Sequence, residues 1–214
     1  MNRFYIYKMT VDDGGAPCIQ DRLLSLAICK PRIRSTAEKG DVILGFASNE
    51  LGHEVPNNGL IYVAEVTAKI CGERYYSLSA FSRRPDCIYL WDGKRFSHRR
   101  NAKFHHGKDD LAHDLGPHPG YRNAEVLLST RFRYFRDKCP IGYKDSAGGF
   151  PALAALVDSL ARGERVNHPT ALRMEIERLL HLVWRRRSAY AATHVPKGAC
   201  YNSCRDDKQK LTVC

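Results

Sequence analysis

Apolar positions along the chain follow a two-residue period in the first part and a helical period in the second. Through residues 1–145, apolar or alternating runs predict strands at residues 4–9, 42–47, 60–70, 87–91, 94–96, 125–130 and 132–135. Through residues 146–190, apolar side chains recur at helical spacing and predict two helices, one beginning at Pro151 and the next near Pro169. The expected fold is therefore α+β, with a curled antiparallel or mixed sheet, or an open barrel, followed by C-terminal helices.

Two segments are read from local signals. The compact apolar run at residues 19–29 is followed by Pro31, and we interpret it as a helix. Asp92 and Gly93 separate two short strands, which predicts a hairpin with a type I′ turn. Periodicity ends near residue 191, so we expect one domain over residues 1–190, strand-rich in 1–145 and helical in 146–190, with a tail over 191–214.

The charge balance favours a polyanionic partner. The 214 residues include 34 lysines and arginines against 23 acidic residues, a net charge of +11, and nucleic acid is the simplest partner for it. Residues 83–108 hold eight of these cations and two aspartates. In residues 131–136 arginines alternate with aromatic residues, which suits a groove that holds phosphates and stacks on bases and equally suits a half-buried strand.

Hydropathy and cysteine usage favour a cytoplasmic location. No apolar run approaches the roughly 18 residues of a membrane span, and the first residues lack the apolar core of a signal peptide. Eight cysteines are scattered through a chain with enough apolar residues to fold without disulfides. We therefore expect reduced thiols and no membrane partner.

Two residues are candidates for catalysis. Cys29 precedes the cations Lys30, Arg32 and Arg34, which would lower the pKa of its thiol and favour a nucleophile. The alternative is a buried cysteine at the end of an apolar run. Asp86 follows Arg83 and Arg84 and is a candidate acid or base, and the alternative is an aspartate that bonds its local backbone.

Metal-type ligands concentrate in residues 105–114, which include three histidines and three aspartates. On a helix, His106, Asp110 and Asp114 would share one side and could hold a divalent metal, whereas the alternative is a solvated loop or short helix. The tail carries a second set of possible zinc ligands, His194, Cys200, Cys204 and Cys214. The alternative is that this segment is an ordinary tail. We expect no cofactor, with a divalent metal only if the chain is an enzyme that uses the first set.

The sequence lacks the signatures of several nucleotide enzymes. It contains no G-x-x-x-x-G-K-[ST] phosphate loop, no G-x-G-x-x-G fingerprint, no G-x-S-x-G elbow and no deaminase zinc signature. The chain is therefore not recognisable as an ATPase, a dinucleotide-binding enzyme or a base deaminase.

Several strings of the sequence together resemble one family, the nucleotide modification associated domain of type 2. The most specific is Cys29-Lys30-Pro31 with Ile33-Arg34, followed by Gly40-Asp41, and the others lie in residues 5–17, 24–34, 40–45, 60–66, 84–89 and 126–135. The resemblance covers most of residues 1–200. It implies a role around modified bases in DNA, in bacterial or phage settings, and carries no assigned reaction or catalytic residues.

A second likeness concerns the fold. Over residues 1–135 the order of a helix, Gly40-Asp41, an apolar strand and then residues 62–66 is similar to PUA-like barrels of the EVE, ASCH and YTH type, which hold a flipped base in an aromatic pocket. By position, this likeness implies that Tyr62, Tyr89 or Trp91 forms a pocket wall.

Two hypotheses about function follow. In the first, the chain reads a modified base in a pocket of Tyr62, Tyr89 and Trp91, with Asp41 or Glu65 accepting from a base edge. Its phosphate contacts would be Lys30, Arg32, Arg34, Arg83, Arg84, Arg131 and Arg133. In the second, the chain is an enzyme that makes or alters a modified nucleotide, using Cys29, Asp86 or the group of His106, Asp110 and Asp114.

The two hypotheses share their partners. Each implies DNA or a modified nucleotide, and other base-modification proteins are further candidates. A third interpretation, a protein that only docks others through its C-terminal helices, is compatible with the same sequence.

Overall fold

The computed structural model describes residues 2–51, 57–107, 109–135 and 149–185. These residues form two compact units, each assembled from separate stretches of chain. Unit 1 comprises the described residues within 1–12, 40–65 and 131–192, and unit 2 comprises those within 13–39 and 66–130. The predicted single domain over residues 1–190 stays a prediction.

In chain order the strands are β1 (Phe4–Met9), β2 (Cys18–Gln20), β3 (Leu23–Leu26), β4 (Val42–Ala47), β5 (Leu60–Glu65), β6 (Ala68–Cys71), β7 (Tyr89–Trp91), β8 (Phe96–His98), β9 (Glu125–Ser129), β10 (Arg131–Tyr134) and β11 (Glu164–Arg165). The helices are α1 (Pro31–Thr36), α2 (Gly72–Ser77), α3 (Asp110–Leu115), α4 (Pro151–Ser159) and α5 (Thr170–Trp184).

Unit 1 contains a five-stranded mixed sheet in the order β10-β5-β4-β1-β11. Strands β1 and β4 are parallel, and the other pairs are antiparallel. Alternate residues of β1 and β4 belong to one apolar core with α4 and α5, whose apolar side chains repeat at helical spacing. The two C-terminal helices that the sequence predicts are confirmed.

Gly45 in β4 lies directly under the ring of Tyr62, with no room for a side chain. A Cβ at this position would overlap the ring of Tyr62 and lie 2.8 Å from the sulfur of Met9. The register between β4 and β5 shifts just after it, between Gly45 and Phe46. Glycine is therefore required here for space, because the neighbouring strand carries a large ring over it.

Unit 2 contains a four-stranded antiparallel sheet in the order β2-β3-β9-β6, together with the separate hairpin β7-β8. The hairpin β2-β3 turns through Asp21 and Arg22, whose φ angles are 50° and 63°. Positive φ at both central residues is what a type I′ turn requires. Helices α1, α2 and α3 accompany this sheet, and an aromatic-rich core lies among them.

Several sequence predictions are corrected by these elements. The predicted helix at residues 19–29 is wrong, because Asp21 and Arg22 turn the chain and both flanking segments are strands. The predicted strand 60–70 is two strands, β5 and β6, which belong to different sheets. The hairpin at residues 89–98 is confirmed, but its turn is not of type I′, since Asp92 Oδ1 accepts from the amides of Lys94 and Arg95 in a four-residue loop.

The fold class is confirmed as α+β with antiparallel and mixed sheets and C-terminal helices. None of the sheets closes into a barrel within the described ranges. Among the helices of the described residues, none has the length and apolar character needed to cross a bilayer.

Candidate functional site

Cys29 lies in a strained turn between β3 and α1 of unit 2. Cys29 and Lys30 both adopt left-handed backbone conformations, with φ of 55° and 44°, which are uncommon for residues other than glycine. The main-chain N–H of Cys29 donates to Asp114 Oδ1 at 2.7 Å, and its carbonyl accepts from Arg34 Nε at 2.7 Å. The surrounding structure therefore holds the turn on both sides, as strained functional positions require.

The thiol of Cys29 begins a chain of three side chains. Its Sγ lies 3.3 Å from His105 Nε2, and the other ring nitrogen, Nδ1, lies 2.6 Å from Asp114 Oδ2. The same carboxylate oxygen accepts a hydrogen bond from the hydroxyl of Tyr89 at 2.8 Å. We call Cys29, His105 and Asp114 the thiol relay, and all three belong to unit 2.

Hydrogen bonding sets the protonation of the relay. The hydrogen bond to Asp114, followed by the contact with Cys29, raises the pKa of His105 from 6.5 to about 10. Burial acts to raise the pKa of Asp114, but the hydrogen bond from His105 and the charge of Arg34 outweigh it, and the pKa lies below its usual 3.8. At neutral pH the relay thus contains an imidazolium beside a carboxylate.

Arg34 connects the two ends of the relay. It is fully buried, and its guanidinium donates to four main-chain oxygens, those of Cys29, Asp114, Asn123 and Glu125, at 2.5–2.7 Å. Burial lowers its pKa, which nearby acidic groups partly offset. Arg34, predicted as a phosphate contact, therefore directs its donors to the protein interior.

Unit 2 also contains a cationic cleft, which we define by its lining residues Arg83, Arg84, Arg99, Arg100 and Lys103 with neighbouring uncharged residues of segments 82–90 and 101–102. Its volume is about 470 Å³, and no acidic residue lines it among those that the structure describes. Arg83, Arg100 and Lys103 are exposed, whereas Arg84 is buried and Arg99 is half-buried. The cations come from the charged stretch 83–108 that the sequence analysis identified.

Asp86, predicted as an acid or base, lies in a buried polar network beside this cleft. It is 0% exposed, accepts from the hydroxyls of Ser25 and Tyr75, and pairs with Arg84, whose Nε lies 3.5 Å from Asp86 Oδ1. Arg84 also donates to the carbonyls of Gln20, Cys18 and Leu23. Every partner belongs to the interior of unit 2, so the network supports packing of this unit rather than contact with a ligand.

The remaining predicted phosphate contacts are dispersed. Lys30 is half-buried in the Cys29 turn and Arg32 is exposed on α1. Arg131 and Arg133 belong to unit 1, where both guanidinium groups lie over the ring of Trp184 and Arg131 pairs with Glu65 at 2.8 Å. The alternating segment around them is a strand whose Phe132 and Tyr134 are buried, as the half-buried alternative describes.

The residues predicted for a base pocket divide between the two units. In unit 1, Tyr62 is fully buried and its hydroxyl meets that of Tyr7, while Asp41 pairs with Arg3 and Glu65 with Arg131. In unit 2, Tyr89 is fully buried, and Trp91 keeps part of its surface exposed while contacting Phe96 and Tyr121. The aromatic pocket stays a prediction.

The predicted metal set is not the cluster that the structure assembles. His106 is exposed and precedes α3, whose first residue is Asp110, and Asp110 Oδ2 accepts from the amide of Gly107. Among the described residues, the group of potential metal ligands is instead Cys29, His105 and Asp114, whose ligand atoms lie within 4.8 Å of one another. The tail set of His194, Cys200, Cys204 and Cys214 lies outside the described residues.

Sequence reasoning singled out Cys29 and Asp114 separately and missed His105. The three positions are separated by 76 and 9 residues, so only tertiary structure brings them together. A usable signal was present in the pairing of one cysteine with a histidine- and aspartate-rich segment, which is the composition of a thiol relay as well as of a metal site.

Comparison with known protein families identifies this chain. The family described as nucleotide modification associated domain 2 matches residues 1–141, which include the thiol relay and the cationic cleft. No curated protein and no solved structure matches the chain. Since the matched residues make up about two thirds of the sequence, the chain belongs to the nucleotide modification associated domain 2 family.

Proposed function

We propose that unit 2 binds the phosphate groups of DNA or of a nucleotide in its cationic cleft, as the binding step of a nucleotide-modification function. The observation that carries this proposal is a concave surface of about 470 Å³ that, within the described part of the chain, is lined by five arginine and lysine residues and no acidic residue. A cleft lined by one sign of charge raises the local concentration of the oppositely charged ligand.

The exposed cations of the cleft differ from several other cations of the protein in having no carboxylate partner. Arg3, Lys69 and Arg131 each pair with a carboxylate. In contrast, Arg83 and Arg100 form no hydrogen bond or ion pair with any residue that the structure describes, and Lys103 only approaches the ring of Phe104. Exposed cations without carboxylate partners retain their charge for a phosphate.

Arg99 gives the cleft a fixed wall. Its Nε donates to the carbonyl of Tyr89 at 3.0 Å, and one terminal nitrogen donates to the carbonyl of Tyr76 at 3.1 Å. These bonds connect the loop that follows β8 to α2 and β7. The exposed cations of the cleft are therefore presented from a braced segment, which reduces the ordering that binding requires.

The test is titration of a fluorescent single-stranded DNA oligonucleotide at several salt concentrations. For the variant Arg83→Glu/Arg100→Glu we expect Kd to rise at least tenfold and the salt dependence of log K to fall by about 1.5, the value for two lost phosphate contacts. The matched control is Lys39→Glu/Arg162→Glu, which makes the same charge change at exposed positions outside the cleft. Equal loss in both variants would overturn the cleft as the binding site.

A second arm addresses the modified base. The same titration compares an oligonucleotide containing one 5-hydroxymethylcytosine with its unmodified counterpart. Tighter binding of the modified strand supports recognition of a modified base, whereas equal binding limits the function of the cleft to phosphate binding.

Involvement of other base-modification proteins and a cytoplasmic location stay predictions.

A further inference from the structure

We propose that the thiol relay is a catalytic site for acyl transfer, in which Cys29 is the nucleophile, His105 the acid that protonates the leaving group and then the base that activates water, and Asp114 the residue that positions the imidazole. The substrate class is a nucleotide that carries an acyl group on an amine or hydroxyl. The nucleotide part of this inference rests on the proposed function of the cationic cleft.

The order of contacts supports a relay. Nucleophilic catalysis by a thiol needs a base within hydrogen-bond reach and a third group that orients the base. His105 Nε2 lies 3.3 Å from the sulfur, and Nδ1 lies 2.6 Å from Asp114 Oδ2, so the thiol and the carboxylate occupy the two different nitrogens of the ring. The hydrogen bond at Nδ1 leaves Nε2 facing the sulfur, so the imidazolium of His105 holds a proton beside Cys29 from which a leaving group can be protonated.

The same order disfavours a metal site. A histidine ligand gives one ring nitrogen to a metal ion, and the second nitrogen then faces a partner outside the coordination sphere. In this structure the sulfur of Cys29 and Oδ2 of Asp114 contact different ring nitrogens of His105. In addition, Oδ1 of Asp114 accepts from the amide of Cys29 and Oδ2 accepts from Tyr89 and His105, so both oxygens already have donors.

Cys29 and His105 are more exposed than Asp114. The side chain of Asp114 is 0% exposed, that of His105 is 24% exposed, and Cys29 is also half-buried. The other cysteines among the described residues, Cys18, Cys71 and Cys87, are all buried. Burial raises the pKa of Cys18 to about 12 and of Cys87 to about 11. Among the thiols that the structure describes, Cys29 is thus the one that combines access with a base.

The cleft and the relay share structural elements. Lys103, which lines the cleft, is two residues before His105, so their Cα atoms lie within about 7 Å. The carbonyl of Tyr89 accepts from cleft residue Arg99, and the Tyr89 hydroxyl donates to Asp114. A nucleotide whose phosphate occupies the cleft would therefore lie beside the segment that carries both Lys103 and His105.

The chemistry proceeds in two balanced steps. Cys29 reacts as the thiolate beside the protonated His105: the sulfur attacks the acyl carbon, a C–S bond forms, and the bond from carbon to the amine or alkoxide leaving group breaks as His105 gives its proton to that group. Water then attacks the thioester, the now neutral His105 takes one of its protons, and the C–S bond breaks to release a carboxylic acid and restore the thiolate beside the protonated His105. Overall the acyl nucleotide and water give the acid and the deacylated nucleotide.

The first experiment tests activation of the thiol without any nucleotide. The full chain is treated with iodoacetamide at pH 7, and alkylation of each cysteine is followed by peptide mass spectrometry. We expect Cys29 to react faster than Cys18, Cys71 and Cys87, and to slow at least tenfold in His105→Gln. An unchanged Cys29 rate in that variant would overturn the relay. Stoichiometric zinc that is retained by the wild type and lost in Cys29→Ser would overturn it in favour of a metal site.

The second experiment tests acyl transfer with N4-acetyl-dCMP as the probe. We expect release of acetate and dCMP, an intermediate one acetyl group heavier on Cys29, and a loss of kcat of about 100-fold or more in Cys29→Ser and His105→Gln. Asp114→Asn should lower kcat and leave KM unchanged, which a general loss of structure would not do. An activated Cys29 without turnover of this probe would overturn the acyl-transfer assignment.

A comparison of two probes separates this inference from the proposed function. In Arg83→Glu/Arg100→Glu, KM for N4-acetyl-dCMP should rise at least tenfold, whereas KM for the nucleoside N4-acetyldeoxycytidine should not change. If both probes react equally well in the wild type and in the variant, phosphate binding by the cleft fails while the catalytic relay stands. If neither reacts while DNA binding persists, the catalytic relay fails alone.

Discussion

Arg34 donates a hydrogen bond to the main-chain oxygen of Asp114 at 2.5 Å, while the side chain of Asp114 accepts from the main chain of Cys29. Two sets of hydrogen bonds thus join the turn at Cys29 to Asp114. The guanidinium of Arg34 donates to the backbone oxygens of both residues, and the carboxylate of Asp114 accepts from the backbone amide of Cys29. This arrangement makes the geometry of the relay part of the stability of unit 2.

Replacement of Arg34 should therefore be costly. Arg34→Met leaves main-chain oxygens of Cys29, Asp114, Asn123 and Glu125 without their buried donor, and we expect the free energy of unfolding to fall by about 3 kcal/mol or more. Urea denaturation measures this change. The control is Arg32→Met, an exposed position on the same helix, which should change stability by no more than about 0.5 kcal/mol. Similar losses in both variants would contradict this account.

The raised pKa of His105 predicts a pH dependence of stability. Because its folded pKa is about 10 and its ordinary value is 6.5, the folded state binds the proton more tightly than the unfolded state. The resulting stabilisation is complete below about pH 6.5 and is lost as the pH rises to about 10. The measurement is the difference in urea midpoint between the wild type and His105→Gln from pH 6 to pH 10, which should shrink as pH rises. A constant difference would refute the assigned shift.

Asp114 predicts the opposite dependence in acid. Its folded pKa lies below 3.8, so its contribution is present above that pH and is lost as pH falls through the folded value. The wild type should therefore lose stability more steeply below pH 4 than Asp114→Asn, which cannot titrate there. Parallel acid unfolding curves for the two proteins would contradict the prediction.

Gly45 tests the packing of unit 1. Gly45→Ala places a methyl group against the ring of Tyr62 and the sulfur of Met9, and we expect a loss of about 1–3 kcal/mol in the free energy of unfolding. Gly120→Ala is the matched control, because nothing lies within 4 Å of the added Cβ there. Thermal unfolding of the two variants makes the comparison, and equal midpoints would show that the β4-β5 contact is looser than described.

The buried pair of Arg84 and Asp86 predicts strong energetic coupling. Asp86→Ala leaves the guanidinium buried beside Ser25 and Tyr75 without its carboxylate, and we expect a loss of about 3–5 kcal/mol. The double variant Arg84→Met/Asp86→Ala should lose less than the sum of the two single changes. Additive losses, measured by urea denaturation, would show that the two residues act independently.

Local patterns were enough to predict the elements whose period is unambiguous. Strands β1 and β4 and helices α4 and α5 follow from short aromatic and branched runs or from helical spacing with Pro151 near a helix start. The run at residues 19–29 was misread because both faces of β3 are buried, so its apolar residues are continuous and do not alternate. A turn with positive φ at Asp21 and Arg22 carries no glycine to reveal it.

The candidate site was predictable only in part, because its parts meet through tertiary structure. The distribution of charge along the sequence identified the stretch that lines the cationic cleft. It predicted the same role for Arg83 and Arg84, but Arg83 is exposed, whereas Arg84 is buried and donates to carbonyls of β2 and β3. Likewise Cys29 was a candidate nucleophile for its neighbouring cations. Its actual partner, His105, lies 76 residues away.

Tyr89 contacts both the cationic cleft and the thiol relay, through different atoms. Removal of its hydroxyl oxygen would therefore affect the relay and leave the cleft unchanged. Its carbonyl accepts from the cleft residue Arg99, and its hydroxyl donates to Asp114 of the relay. Tyr89→Phe would keep the ring among Tyr76 and His98 and keep the bond to Arg99, while withdrawing one donor from Asp114. Such a protein would bind its ligand as before and differ only in the basicity of the histidine next to the thiol, so it isolates recognition from chemistry within one fold.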